Sequence, residues 1–142
     1  VGSTFYYVTF LSQLVPVFLG LGEEGNAERI LREAADFATK TADAQHSLEV
    51  VWGGAQLWIH RAEREDLRTE QQSAWAVMGA RWAGAALSSP NLAPNNRDVL
   101  RRLIPNLHAA LGAERTTELL TAGAQLAPDS LIAELGAAFF GQ

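Results

Sequence analysis

Among the side chains of this 142-residue chain that can carry a proton or a metal, His46, Glu49, His60 and Glu63 have spacing that invites chemistry. His60 and Glu63 stand on neighbouring turns of a helical run, and a histidine–carboxylate pair so placed can ligate a metal or pass a proton. His46, Glu49 and His60 would form an acid–base site if folding brought all three within hydrogen-bond reach in a closed pocket. Single pairs of this kind also arise by chance on solvated helix faces. The third histidine, His108, is distant from both others in sequence. The chain has no phosphate-binding loop, no zinc-ligand spacing and no nucleophile constellation. No catalytic residue, metal or cofactor is therefore assigned, and the enzymatic reading stays as the lesser alternative.

Trp52, Trp58, Trp75 and Trp82 would suit ligand stacking, but their helical spacing fits a core better. Trp58 shares a face with Val51, Ala55 and Ala62, and Trp75 and Trp82 lie one heptad apart. A net charge of −5 argues against direct nucleic-acid contact, because phosphate binding relies on a basic face. Arg97, Arg101 and Arg102 share one side of a helix, yet Asp98 and Glu114 are close by, so a solvated face is expected. The absence of cysteine excludes disulfides and thiolate metal sites and fits a reducing, cytoplasmic compartment. A start at Val1 without methionine suggests a fragment of a longer protein.

The elements that must carry these residues are almost all helical. Apolar periodicity predicts helices near 3–21, 26–41, 44–66, 69–88, 96–111, 113–124 and 128–140, an all-α chain of about seven helices in a single domain, 1–142. Gly22 and Gly25 flank a turn after which Asn26 can cap a helix; "SSPNLAPNN" at 88–96 is a loop, with Asn95 or Asn96 as the next cap. Gly112 suits a helix end, Pro128 a first helical turn, and Pro105 a bend.

Residues 1–22 carry no charge and are long enough to span a bilayer. Thr9, Ser12, Gln13, Pro16 and Gly20, however, recur at helical spacing as one polar or small stripe, which a lipid-facing helix does not need. The flanking charges are Glu23 and Glu24 and not basic anchors, so no membrane span is expected.

The spacing of Leu11, Leu14, Val15, Phe18, Gly22, Ala27, Leu31 and Ala34 resembles the tetratricopeptide repeat, most closely in "LVPVFLGLGEEGNAERILREA" (14–34). Val15 departs from the usual small residue and Thr39 from the usual terminal proline. A second unit phases only in part, through Leu48, Val51, Trp52 and Ala55, because "WIHRAEREDLRTEQQ" overruns the turn. Residues 73–140 are similar to the tetratricopeptide-like C-terminal tail of large bacterial ATP-dependent, LuxR-type transcriptional regulators, the signal-transduction ATPases. Gly79-Ala80, Ala110-Leu111-Gly112, Gly123, Leu126 and Pro128 carry that resemblance; Ala127 and Leu131 depart from it.

The resemblance implies antiparallel helix pairs stacked as a right-handed array, serving protein–protein interaction or signal sensing beside an ATPase, without catalysis. In stacked repeats the first helix of each pair lines the concave side. That side would present Thr9, Ser12, Gln13, Pro16 and Gly20 from one unit and His46, Glu49, Gly53, Gln56 and His60 from the next. Such a groove would be nearly neutral, suiting a polar peptide, a small neutral ligand or another domain of the same chain. Gly53, Gly54, Gly79, Ala80, Gly84, Ala85 and Ala86 permit close helix packing first and a homodimer second. Leu119, Leu120, Leu126, Leu131 and Leu135 suit a terminal pair capping the stack. An oligomerisation scaffold without ligand is the alternative.

Overall fold

Seven helices account for nearly all of the described residues of the computed structural model, which are 2–64 and 66–135, with side chains from Tyr6 onward. They are α1 (Gly2–Gly20), α2 (Glu24–Thr41), α3 (Ala44–Ala62), α4 (Thr69–Leu87), α5 (Pro94–Leu111), α6 (Ala113–Ala124) and α7 (Pro128–Ala133). The chain is all-α as expected. The last predicted helix, 128–140, extends beyond the described residues.

Local chemistry explains most boundaries. Gly22, at φ +76°, turns the chain after α1, and the Asn26 amide donates to Glu23 instead of capping α2. Ala42 ends α2 in the left-handed region, and Asp43 caps α3 by accepting from the amides of Gln45 (2.8 Å) and His46 (3.1 Å). α3 stops at Ala62 and not at 66; an Arg64–Asp66 ion pair and the Gln72 amide bonded to the Arg64 carbonyl (2.7 Å) hold the turn that follows. α5 starts earlier than the predicted asparagine cap because Pro94, with its fixed φ, occupies the first turn. Asn96 is used elsewhere: its carbonyl accepts from the Trp52 indole N–H at 2.9 Å. Arg97 donates to the carbonyls of Leu87 (2.5 Å) and Ser89 (2.8 Å), so it closes the C-terminal end of α4 and does not join a basic patch.

The centre of the molecule is α3, which packs against α1, α2, α4, α5 and α7. Pairings across α2 (Glu24 and Glu28 with Arg61) and α4 (Trp75 with Trp58, Gly79 beside Ile59) make those neighbours antiparallel to it. Trp52, Trp58 and Trp82 are fully buried; Trp58 stacks on Trp75 (5.2 Å, 12°) and meets Trp82 edge-on (5.4 Å, 87°), which is the core role expected of them. Trp82 sits on Gly54, where an added Cβ would come within 2.4 Å of the ring.

α4 and α6 approach more closely still. A Cβ at Gly84 would lie 2.1 Å from the Leu120 carbonyl oxygen, and one at Gly123 would lie 2.0 Å from that of Arg81. α7 returns to the middle of the molecule, and Leu131, Ile132 and Leu135 join the core formed by α1, α2, α3 and α4. It therefore covers the central helices as well as closing the chain. No helix among the described residues is long and apolar enough to cross a membrane.

Candidate functional site

α1 carries three strips. Val8, Leu11 and Val15 enter the core. Thr9, Ser12, Pro16 and Gly20 turn toward α3, and the contacts run in step along both helices. The Thr9 hydroxyl donates to Glu49 Oε2 at 2.8 Å. One turn on, a Cβ at Gly53 would sit 3.6 Å from the Ser12 carbonyl oxygen, an ordinary packing distance. Further along, Pro16 and Gly20 meet Gln56 and His60 around a cleft of about 200 Å³, with Glu63 and Leu103 opposite.

The two stripes read from the sequence as walls of an open groove thus largely face each other. Ser12, His46, Gly53 and Gln56 are buried, which corrects the expectation that they are accessible. Small and polar residues at helical spacing let two helices approach and satisfy one another, so they mark a helix seam as readily as a groove. His46 is bonded to Thr41 Oγ1 through Nδ1 at 2.9 Å, and the Gln56 amide donates to the Trp52 carbonyl at 3.3 Å. Gln13 is exposed and reaches Asn96 Oδ1 at 3.3 Å. Pro16, Gly20, Gln56 and His60 of the ten residues bound a shared cavity.

The acid–base triad does not assemble. His46 and Glu49 lie at the start of α3, while His60 is fourteen residues further along the same helix, about 21 Å away at 1.5 Å per residue. His60 and Glu63 do share the small cleft, where Glu63 Oε1 accepts from the Asn106 amide at 2.5 Å. Among the described residues no cluster of three or more His, Cys, Asp or Glu could hold a metal ion. Glu49 is the chemically unusual member of the seam. Burial pushes its carboxyl above the ordinary value of 4.5, Asp43 adds to this, and the bonds from Thr9 and Gln45 and the charge of His46 pull the other way.

The third strip of α1 was not anticipated. Tyr6, Phe10, Val17 and Leu21 are 70%, 60%, 52% and 65% exposed. At about 100° per residue they fall, with Gln13, within an arc of about 80°. The signal was present in the sequence: a helix apolar on more than its core side, without charge, either sits inside a protein or offers its outer side to something else.

The chain matches no family model, no curated protein and no solved structure.

A second feature escaped sequence reading. Arg61 is 7% exposed and bonds Glu24 (2.6 Å) and Glu28 (2.5 Å) of α2. Its guanidinium also lies over Trp58 (5.6 Å) and Trp75 (4.9 Å), where ring quadrupoles favour a cation. Sequence patterning places Arg61 on a helix but cannot show that the acidic turn of α2 folds onto it. The planar guanidinium meets two carboxylates and two indoles at once, which ties α2 to the α3–α4 core.

Proposed function

We propose that this chain is a non-catalytic, cytoplasmic helical interaction or signal-sensing module, of the kind found in the tetratricopeptide-like tail of bacterial ATP-dependent transcriptional regulators. The observation that carries the reading is the outward row of α1. Four large apolar side chains, each more than half exposed, stand in one row there, and apolar surface gathered on one side of a soluble protein is commonly functional. The contact surface is accordingly the outer side of α1, with the α1–α3 seam fixing that helix to the core. A protein or another domain of the same chain docks there, and regulation follows if the docked and undocked states differ in what they favour downstream.

A second reading, self-association, is favoured by the charge pattern. α1 carries no charge, so two copies of a chain with net charge −5 would meet there without like-charge repulsion. One experiment tests both. A photo-crosslinking residue is placed at Phe10, and at Asp36 on exposed α2 as control, in the cells that make the protein. A discrete adduct from position 10 alone is expected; a product of twice the chain mass assigns the face to a homodimer. Adducts absent at 10, or equal at both positions, would remove the basis of the proposal.

A further inference from the structure

A second concavity lies away from α1, none of whose residues line it. It opens where the C-terminal ends of α2 and α4 meet the first turns of α3 and α7, and its volume is about 600 Å³. Packing defects inside proteins are rarely larger than a water molecule, whereas clefts of this size hold small ligands. Ala38, Leu48, Ala85 and Ile132 are buried and form its floor, with Leu126 half-buried beside them. Thr39, Gln45, Ser88, Ser89 and Asn91 supply hydroxyls and amides around it. Asp129, which is exposed, is the one charged residue in the lining.

The electrostatic balance at this cleft is negative. The carbonyl ends of α2 and α4 carry partial negative charge toward it. Of the two opposing amide ends, that of α3 is already occupied by the Asp43 carboxylate through Gln45 and His46, and that of α7 begins with Pro128, which has no N–H, and carries Asp129 in its first turn. Among the described residues no arginine or lysine lines the cleft. The nearest basic residue on α2, Lys40, is paired with Asp36 at 2.8 Å, and Arg97 is spent on the carbonyls of Leu87 and Ser89. An anion would therefore meet a carboxylate and helix carbonyl ends with no compensating cation. A cation would find Asp129 at the edge of an apolar floor.

We propose that this cleft binds a small amphipathic molecule with an apolar body and an amine-type cationic end, the body resting on Ala38, Leu48, Ala85 and Ile132 and the cation beside Asp129. The site is independent of the α1 face, so either can fail without the other.

Three eight-carbon probes that differ only in the head group test it: octylamine, octanol and octanoate, titrated at neutral pH into the full chain and followed by calorimetry and by amide chemical shifts. An exposed ion pair predicts octylamine binding about threefold more tightly than octanol and about tenfold more tightly than octanoate. The perturbed amides should be those of Ala44, Ala85 and Ile132. Asp129→Asn should bring octylamine down to the affinity of octanol and leave octanol unchanged, while Glu118→Gln, an exposed carboxylate on α6 outside the cleft, should change neither. Ala44→Trp, at an exposed lining position, should abolish binding of all three; Ala133→Leu serves the same purpose if the tryptophan disturbs folding, judged by the far-ultraviolet melt. Equal affinity for amine and carboxylate, absence of binding by any probe, survival of binding in both blocking variants, or shifts confined to Tyr6 and Phe10 would each overturn the assignment.

Discussion

α1 and α3 are helices of the same length that run side by side, yet the one with charges is the one inside. α3 holds Glu49, Arg61 and two histidines, and nearly all of its residues are buried. α1 holds no charge and leaves Tyr6, Phe10, Val17 and Leu21 in solvent. Burial follows the number of neighbours and not the apolar content. α3 packs against five helices, and its buried polar residues have partners there: Arg61 with two carboxylates, His46 with Thr41, Gln56 with its own preceding turn. α1 has α2 and α3 on two sides, and on the third the Gln13 amide reaches Asn96 of α5 while the large apolar side chains around it stay more than half exposed. A charge-free helix in that position is suited to an outer partner, and the comparison can be tested by changing one side at a time.

The largest effect is expected where helices touch through glycine. Gly84→Ala and Gly123→Ala each drive a Cβ to within 2.0–2.1 Å of a backbone oxygen on the facing helix. No rotamer change can relieve a main-chain clash, so α4 and α6 must separate, at a cost of about 3 kcal/mol despite the better helix propensity of alanine. Gly20→Ala at the end of α1 meets nothing within 4 Å and should stabilise by about 0.5 kcal/mol. Urea unfolding of the three variants gives opposite signs on the two sides of the molecule. Loss of stability at Gly20 or tolerance at Gly84 would dissolve the distinction.

Arg61→Met comes next. It leaves Glu24 and Glu28 facing the hole without the buried cation, though Arg64 (3.5 Å from Glu24) and Arg32 (3.2 Å from Glu28) remain beside them, and breaking a buried pair from one side usually costs several kcal/mol. Those carboxylates keep 21% and 23% of their exposure, so water repairs part of the loss and about 2 kcal/mol is expected. Pairing with Glu24→Gln and Glu28→Gln in a double-mutant cycle should recover much of it, and additive losses would show that the guanidinium acts through the indoles alone.

These two cases also show what the sequence makes legible. Helix positions came through periodicity, and Gly84 and Gly123 stood out as small residues inside otherwise helical runs. Three of the boundaries, the starts of α2 and α5 and the end of α3, required information from outside the segment or a competing local signal, as with Pro94 displacing the asparagine cap. The seam was misread as a groove because the spacing of Thr9, Ser12, Pro16 and Gly20 is the same whether solvent or another helix lies opposite. The partners of Arg61 and of Ser12 are set by the tertiary path of the chain, which periodicity does not encode. The outward row was present in the letters, hidden by attention to the polar stripe beside it.

A smaller effect separates the buried seam from the open face by pH. Glu49 has its folded pKa raised, so between its unfolded and folded values the native state binds the extra proton. Stability then falls as pH rises through the folded value and is greatest below the unfolded one, the reverse of a salt-bridged carboxylate. Glu49→Gln keeps an acceptor for Thr9 and removes the charge. Its melting temperature should equal or exceed that of the parent at neutral pH, and the difference should shrink on acidification. A variant that loses ground at neutral pH would mean that the Thr9 and Gln45 bonds to the carboxylate outweigh its desolvation.

The smallest effect on stability is expected in the outer row of α1, and it is the most diagnostic. Phe10→Ser removes a ring that is 60% in solvent, so unfolding free energy should move by no more than about 0.5 kcal/mol. If the outer row is a docking face, the same change should nonetheless weaken capture at that face severely, because aromatic side chains at the middle of an apolar patch carry a large share of binding energy. A crosslinking residue at Val17, on the same row, reads that loss directly. Stability and docking would then separate on α1, in contrast to α3, where most residues are buried and truncation acts on the fold. A Phe10→Ser chain that unfolds more easily by several times the expected amount would place the ring in the fold itself, and α1 would be a core helix like its neighbour.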